Sequence, residues 1–471
     1  MKRMTRLDIP EAEFRRLASR IASMAADYYA RLPHSPVYPR TSGVQTREIF
    51  NEPLAPEGLG EAALDALEKV TELSRAQNGR FFGYVLGSGE PVAALADLFA
   101  SVLNQNCTAW RSAPAAVTIE RQLVRGIAEA LGCGEMTGYL CGGGSAANLM
   151  ALAMAREARL PANENGARPG VVYASSEAHM SMAKAMALLG LGRCNLRSIP
   201  TDEQFRMSVP ALQSAIAEDQ SAGRALIAVV ASAGTVSTGS IDPLEKIAAI
   251  CRAHEMWLHV DGAYGAPAAL AAPEKFRGLA EADSLSLDLH KWLYQPLDCG
   301  MLLFKNEKYA QAAFSHTGDY AQVLDADPDE RFAFFEESLE LSRRFRALKV
   351  WLSLRFHGLE AFREAIGADL GHARQLAGDI RNTPELELLA PVELSAVCFR
   401  YRGSAAGADL DALNRAILRT VVENGSVYLS NASIHGRFAL RACFVNHRTT
   451  AADVALIVTE VLAAARAVMA L

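Results

Sequence analysis

Between residues 81 and 305, short apolar runs alternate with segments whose apolar positions recur about every three to four residues. The runs Gly138–Cys141, Gly170–Ala174, Leu226–Ala231, Trp257–Asp261 and Gly300–Phe304, with the alternating Ser284–Asp288, predict strands. Most segments between them predict helices. Asp242-Pro243 predicts a helix start, with Asp242 as the N-cap, proline at the first helical position, and Leu244, Ile247, Ala248 and Cys251 on one face. Strand and helix in alternation imply an α/β fold: a largely parallel sheet covered on both sides, with ligands gathering at the carboxyl ends of its strands.

The flanks follow other patterns. Residues 12–30 predict a helix with one apolar side, and Leu32–Gly60, rich in proline and glycine, predicts an extended arm without a core of its own. Residues 315–335 are polar, acidic and aperiodic, which predicts a mobile loop. A helix is expected from about Glu336 to Phe356, then a break at His357-Gly358, then a smaller α+β unit. The division expected is residues 1–85 as helix and dimerising arm, 86–357 as the large unit and 358–471 as the small one. An arm that cannot bury itself predicts a second subunit to wrap, hence a homodimer.

Composition narrows the class. The 471 residues carry 47 basic and 53 acidic side chains, a net charge of −6, without the concentrated basic patch of a nucleic-acid surface. The eight cysteines lack metal-ligand or disulfide-framework spacing and read as reduced thiols. No uncharged apolar run approaches a membrane span, and Asp8, Glu11 and Glu13 stand where a signal peptide needs an apolar core. A cytoplasmic location is expected.

Three segments carry candidate chemistry. Cys141-Gly-Gly-Gly-Ser145 follows a strand and opens a helix, so Gly144 and Ser145 read either as a phosphate cradle or as a tight packing turn. In Trp257-Leu-His-Val-Asp261-Gly-Ala263, an apolar strand delivers a carboxylate before a glycine turn. Asp261 faces a cation there or caps the turn. In Asp288-Leu-His290-Lys291-Trp292, one of only nine lysines sits at a strand end; a solvated strand end is the bland alternative. Together in one α/β unit, the three match the contacts that pyridoxal 5'-phosphate requires: a lysine for a Schiff base, a carboxylate for the pyridine nitrogen and a helix N-terminus for the phosphate.

The sequence resembles the group II pyridoxal-phosphate-dependent amino-acid decarboxylases, which share the aspartate aminotransferase-like fold type I and include aromatic-amino-acid and glutamate decarboxylases. HVDGAYG at 259–265 and DLHKW at 288–292 carry the resemblance, with RFFGY at 80–84, SSEAH at 175–179, ASAGT at 231–235 and SRRFRALKVW at 342–351. It implies Lys291 as the Schiff-base lysine, Asp261 as partner of the pyridinium nitrogen, and Ala263 and His179 on opposite ring faces. His179 would lie near the substrate carboxylate, or else cap the following helix. Gly144, Ser145 and His290 would hold the phosphate. Thr235, or alternatively Val236, would support Asp261. Tyr84 would line the substrate pocket, and Arg441 would lie near the substrate or form an ordinary strand ion pair. The reaction implied is decarboxylation of an L-amino acid to its amine in a dimer with shared active sites.

Two departures stand out. The family's loop tyrosine, which protonates Cα from the neighbouring subunit, corresponds by counting back from Arg343-Arg344-Phe345-Arg346 to Phe334, while Tyr320 is the only tyrosine in the loop: either the loop is differently arranged and Tyr320 protonates Cα, or the donor hydroxyl is absent. Without the hydroxyl, dioxygen would intercept the carbanion and the products would be aldehyde, ammonia and peroxide. After Phe81-Phe82-Gly83-Tyr84, the chain reads Val85-Leu86-Gly87 where members acting on aromatic substrates carry bulkier residues, leaving acidic, basic and small aliphatic substrates open. A retro-aldol lyase or transaminase shares fold and lysine. His254-Glu255 and His259 have the wrong spacing for a zinc hydrolase, and no metal is expected.

Overall fold

A computed structural model describes residues 7–54, 56–316, 327–403 and 409–470. Seven strands form the large sheet: β1 (Thr137–Cys141), β2 (Val171–Ser175), β3 (Leu196–Ile199), β4 (Leu226–Ser232), β5 (Trp257–Asp261), β6 (Ser284–Asp288) and β7 (Gly300–Phe304). Their order is β1-β7-β6-β5-β4-β2-β3. The β3-β2-β4-β5-β6 block is parallel, and β7 runs antiparallel to both β6 and β1. β2, β4, β5, β6 and β7 are buried almost end to end because helices cover both faces, which is why they read as apolar runs. β3 escapes the sequence reading because Leu196-Arg-Ser-Ile lies at the sheet edge, where only Ile199 is fully buried.

The other edge, β1, would expose unpaired backbone groups. Glu120 and Arg343 cover it: Leu140 donates its N–H to Glu120 Oε1 at 2.8 Å, and Arg343 Nη2 donates to the Leu140 carbonyl at 2.8 Å. The two side chains pair at 2.5 Å, and the Phe334 ring lies 4.0 Å from the Arg343 guanidinium carbon.

Three expectations need correction. Asp242 does not cap the helix Leu244–Ala253. It is buried, and its oxygens accept the N–H groups of Met207 at 2.6 Å and Ser232 at 2.7 Å, tying the end of β4 to the Met207 segment; burial pushes its pKa up to about 6. The arm Leu32–Gly60 is not wholly extended, since a Ser42/Gln45 capping box starts a helix over Gly43–Phe50. The helix expected from Glu336 begins only at Ala347, because Ser338 to Arg346 spend their polar groups on loop contacts. It runs to Arg381, with Gly358 at φ 77° supplying the expected break.

A second, antiparallel sheet orders β8 (Leu386–Leu388), β9 (Ala396–Tyr401), β10 (Ser430–Ile434) and β11 (Arg437–Cys443) as β10-β11-β9-β8. Its core includes Phe399, Phe444, Ile417 and Val461, and Phe82 from far up the chain packs there too. Phe82 donates its N–H to Tyr428 O and accepts the N–H of Cys443, both at 2.9 Å, so the segment bearing Tyr84 is stitched onto the small sheet. All eight cysteines are free, and only Cys194 among them is exposed. Among the described residues, no helix is long and apolar enough to cross a membrane.

Candidate active site

The carboxyl ends of β1, β4, β5 and β6 open onto one cavity of about 590 Å3, within the roughly 300–1,000 Å3 usual for small-ligand sites. Gly144, Ser145, His179, Thr235, Asp261, Ala263, His290, Lys291 and Tyr84 all line it. These residues come from stretches as far apart as Tyr84 and Lys291, and the strand order brings them together.

The glycine loop leaves β1 and turns into the helix Gly144–Arg159. A Cβ on Gly144 would lie 2.7 Å from that of Ala263, so the close approach of the loop to the Asp261 turn requires glycine. Ser145 is exposed to the cavity, and neither its N–H nor its hydroxyl is hydrogen-bonded among the described residues. Free donors at a helix N-terminus suit a phosphate. His290 accepts the Cys299 N–H on Nδ1 at 3.1 Å, which leaves Nε2 as its donor, beside the same loop.

Asp261 ends β5. Its Oδ1 accepts the Ala263 N–H and the Ser286 hydroxyl, both at 3.2 Å, and its Oδ2 accepts Asn148 Nδ2 at 3.0 Å. Thr235 does not support it: the Thr235 hydroxyl is spent within its own turn, on Thr238 at 2.9 Å and the Ser240 N–H at 3.1 Å. Val236 also lines the cavity, but its methyls offer Asp261 no hydrogen bond.

Lys291 follows β6 and is partly exposed to the cavity, its Nζ 2.9 Å from Asp288 Oδ2. Asp288 Oδ1 accepts the Gly144 N–H at 2.6 Å. The next residue, Trp292, stacks on Tyr264 with centroids 5.3 Å apart and donates Nε1–H to buried Asp369 at 2.9 Å. The lysine therefore projects from a clamped backbone. His179 lines the cavity, and its Nδ1 accepts the Ser181 N–H at 3.3 Å at the start of the helix Ser181–Leu188. Burial lowers its pKa, and Asp261 partly offsets this.

Among the described residues, Arg441 neither lines the cavity nor forms an ion pair. Buried on β11, it donates Nε–H to Ser237 O at 3.1 Å and Nη1–H to Tyr84 O at 2.8 Å, fixing the backbone of two wall segments. Tyr84 lines the mouth, its hydroxyl 3.0 Å from that of Tyr428. Tyr320 lies outside the described residues. Phe334 is fully buried between Phe332 and Arg343, so the count that set it at the loop tyrosine's place is corrected: it is a core residue. Asn148, Asp288 and Ser286 were missed. Asn148 is one polar residue in an apolar helical pattern, a signal available only once the helix is known to end at the cavity.

The donor set fits pyridoxal 5'-phosphate: free N–H and hydroxyl groups at a helix start, a carboxylate faced by three donors, and a cavity-facing lysine. Comparison with known proteins agrees. Residues 65–402 match the pyridoxal-dependent decarboxylase conserved domain. An aromatic-L-amino-acid decarboxylase of Bacillus atrophaeus is 33% identical over 470 residues, covering 98% of this chain and 97% of that one. The crystal structure of Oryza sativa TDC with PLP and tryptamine superposes with a TM-score of 0.91 at 26% identity, over 99% of this chain and 100% of that one. A Rhodiola rosea 4-hydroxyphenylacetaldehyde synthase superposes with a TM-score of 0.86 at 27% identity, over 98% and 99%.

Proposed function

The chain belongs to the pyridoxal-dependent decarboxylase family, and from that premise we propose how its residues divide the work of a pyridoxal-phosphate-dependent amino-acid decarboxylase. The observation that carries the proposal is the shared cavity, lined at once by Lys291, Asp261, His179 and the glycine loop. Lys291 Nζ would hold the cofactor through its aldehyde carbon, with Ser145, Gly144 and His290 around the phosphate. Asp261 would keep the pyridine nitrogen protonated, between the faces offered by Ala263 and His179. When bound, pyridoxal 5'-phosphate supplies the sink for the electron pair released as the Cα–carboxylate bond breaks. His179 Nε2–H would orient the departing carboxylate. Tyr320 is the proposed proton donor to Cα, because Phe334 is committed to the core.

The mouth favours an aromatic or apolar side chain: Tyr84, Val85, Val236 and Leu297 line it, and Phe81 stacks behind on Tyr428 at 4.9 Å. The functional unit we propose is a cytoplasmic homodimer with shared sites, divided at residues 85 and 357. The N-terminal helix Glu11–Arg31 buries none of its residues, and the helix Pro91–Leu103 leaves Leu95, Leu98, Phe99 and Val102 exposed on one face. Both features suit a surface covered by a second copy.

Incubating the enzyme with the twenty amino acids, diaminobutyrate and ornithine, while following CO2, ammonia and peroxide, tests the reading. CO2 without ammonia or peroxide is expected, with an aromatic substrate among the best. Ammonia and peroxide in step with CO2 would mean an aldehyde synthase, and no CO2 from any substrate would refute the reaction class.

A further inference from the structure

In the cavity wall, one buried amide touches three neighbouring groups. Asn148 Nδ2 lies 3.0 Å from Asp261 Oδ2 and 3.1 Å from Ser181 Oγ, and its Oδ1 lies 2.9 Å from His259 Nε2. We infer that Asn148 is a positioning residue, fixing the protons of both His179 and His259 on Nε2 while it holds the Asp261 carboxylate. The inference rests on the proposed cofactor site only for its catalytic meaning.

Asp261, as a carboxylate, only accepts. The Asn148 atom facing it must therefore be the NH2 group, and the amide carbonyl must face His259. His259 Nε2 then carries the proton. The far side of that ring agrees: Trp257 donates Nε1–H to Ser284 Oγ at 2.8 Å, so the single Ser284 proton is free to go to His259 Nδ1 at 2.9 Å. His259 is fully buried, and desolvation pushes its pKa down to about 4, so the ring is neutral near pH 7.

The second N–H of Asn148 is directed at Ser181 Oγ. That hydroxyl accepts from the amide and sends its own proton to His179 Nδ1, 2.8 Å away. The Ser181 backbone N–H points at the same nitrogen from 3.3 Å. A proton on His179 Nδ1 would meet a donor head on, so the ring keeps its proton on Nε2. Among the described residues nothing bonds that nitrogen, and His179 lines the cavity. A neutral N–H donor can orient a carboxylate without the full charge of an imidazolium, which would hold that carboxylate in the ground state and oppose its loss. Asn148 thus acts through His179 and Asp261, not on the substrate.

The test is nitrogen NMR of the full chain labelled with 15N-histidine, with and without pyridoxal phosphate, assigned by His179→Gln and His259→Gln. At pH 7 the wild type should show protonated Nε2 and bare Nδ1 at both rings. Asn148→Ala should turn His179 into a tautomer mixture and lower kcat about 10- to 100-fold, the usual cost of losing an orienting partner, with KM nearly unchanged. Ser181→Ala, which cuts one branch, should alter His179 and spare His259, and Ser181→Thr should restore the wild-type signal. A protonated Nδ1 at either ring in the wild type, or an Asn148→Ala protein whose His179 signal is unmoved, overturns the inference. If Asn148→Ala does not fold, the Ser181 pair decides alone: an unmoved His179, or equal changes at both histidines, overturns it. The spectra without cofactor stand even if the chain proves not to bind pyridoxal phosphate.

Discussion

Lys291 and Gly144 are joined through one carboxylate: Asp288 Oδ2 lies 2.9 Å from Lys291 Nζ, and Oδ1 accepts the Gly144 N–H at 2.6 Å. An anion thus stands at the helix start proposed for the cofactor phosphate, facing the lysine proposed for its aldehyde.

Replacing that carboxylate by its neutral isostere should tighten cofactor binding. In Asp288→Asn, an acceptor for Gly144 remains and one negative charge leaves the neighbourhood of the phosphate. The gain expected is on the order of 1 kcal/mol, about fivefold in Kd, even at the dielectric of water. Titrating the visible absorbance of cofactor-free protein measures it; weaker binding would show that Asp288 assists the phosphate.

The Trp292 anchor makes stability depend on pH. Asp369 accepts Trp292 Nε1–H at 2.9 Å and Tyr294 O–H at 2.8 Å, and burial pushes its pKa up to about 7. Its folded value is raised, so its stabilising contribution is complete below about pH 4, the ordinary range of the group. That contribution is lost as pH rises through 7. Relative to Asp369→Asn, wild-type stability should therefore fall from pH 5 to pH 8, by up to about 1.4 kcal/mol per unit where the group titrates. Urea melts of both proteins at the two pH values measure the difference; parallel curves would contradict it.

The two loop aromatics should respond differently. Phe334→Tyr buries a hydroxyl against Phe332 and Arg343 and should cost about 1–3 kcal/mol of stability, with the peroxide-to-CO2 ratio unchanged. Tyr320→Phe should raise that ratio. A Phe334→Tyr enzyme with an altered ratio would return Phe334 to the reacting centre.

Segments buried on both faces were legible in the sequence, because continuous apolar runs such as Gly300–Phe304 admit few other readings. Lys291, Asp261, Gly144 and Ser145 were legible for a related reason: each sits where a strand ends or a helix begins, and local pattern marks those points. What stayed hidden depends on partners remote in the chain. Asp242 looked like a cap because a proline followed it, yet Met207 and Ser232 claim its oxygens. Arg441 looked like a substrate contact until the carbonyls of Tyr84 and Ser237 took its Nη1–H and Nε–H. Phe334 was placed by counting across a loop, and counting carries no information about the guanidinium that covers its ring.

Lys291 is the residue proposed to link the cofactor. Borohydride reduction of the enzyme loaded with pyridoxal phosphate, followed by peptide mass mapping, tests it most directly. A single phosphopyridoxyl group on Lys291, absent from the Lys291→Ala protein, is the predicted result. Modification of a different lysine, or none in a protein that releases CO2, would contradict it.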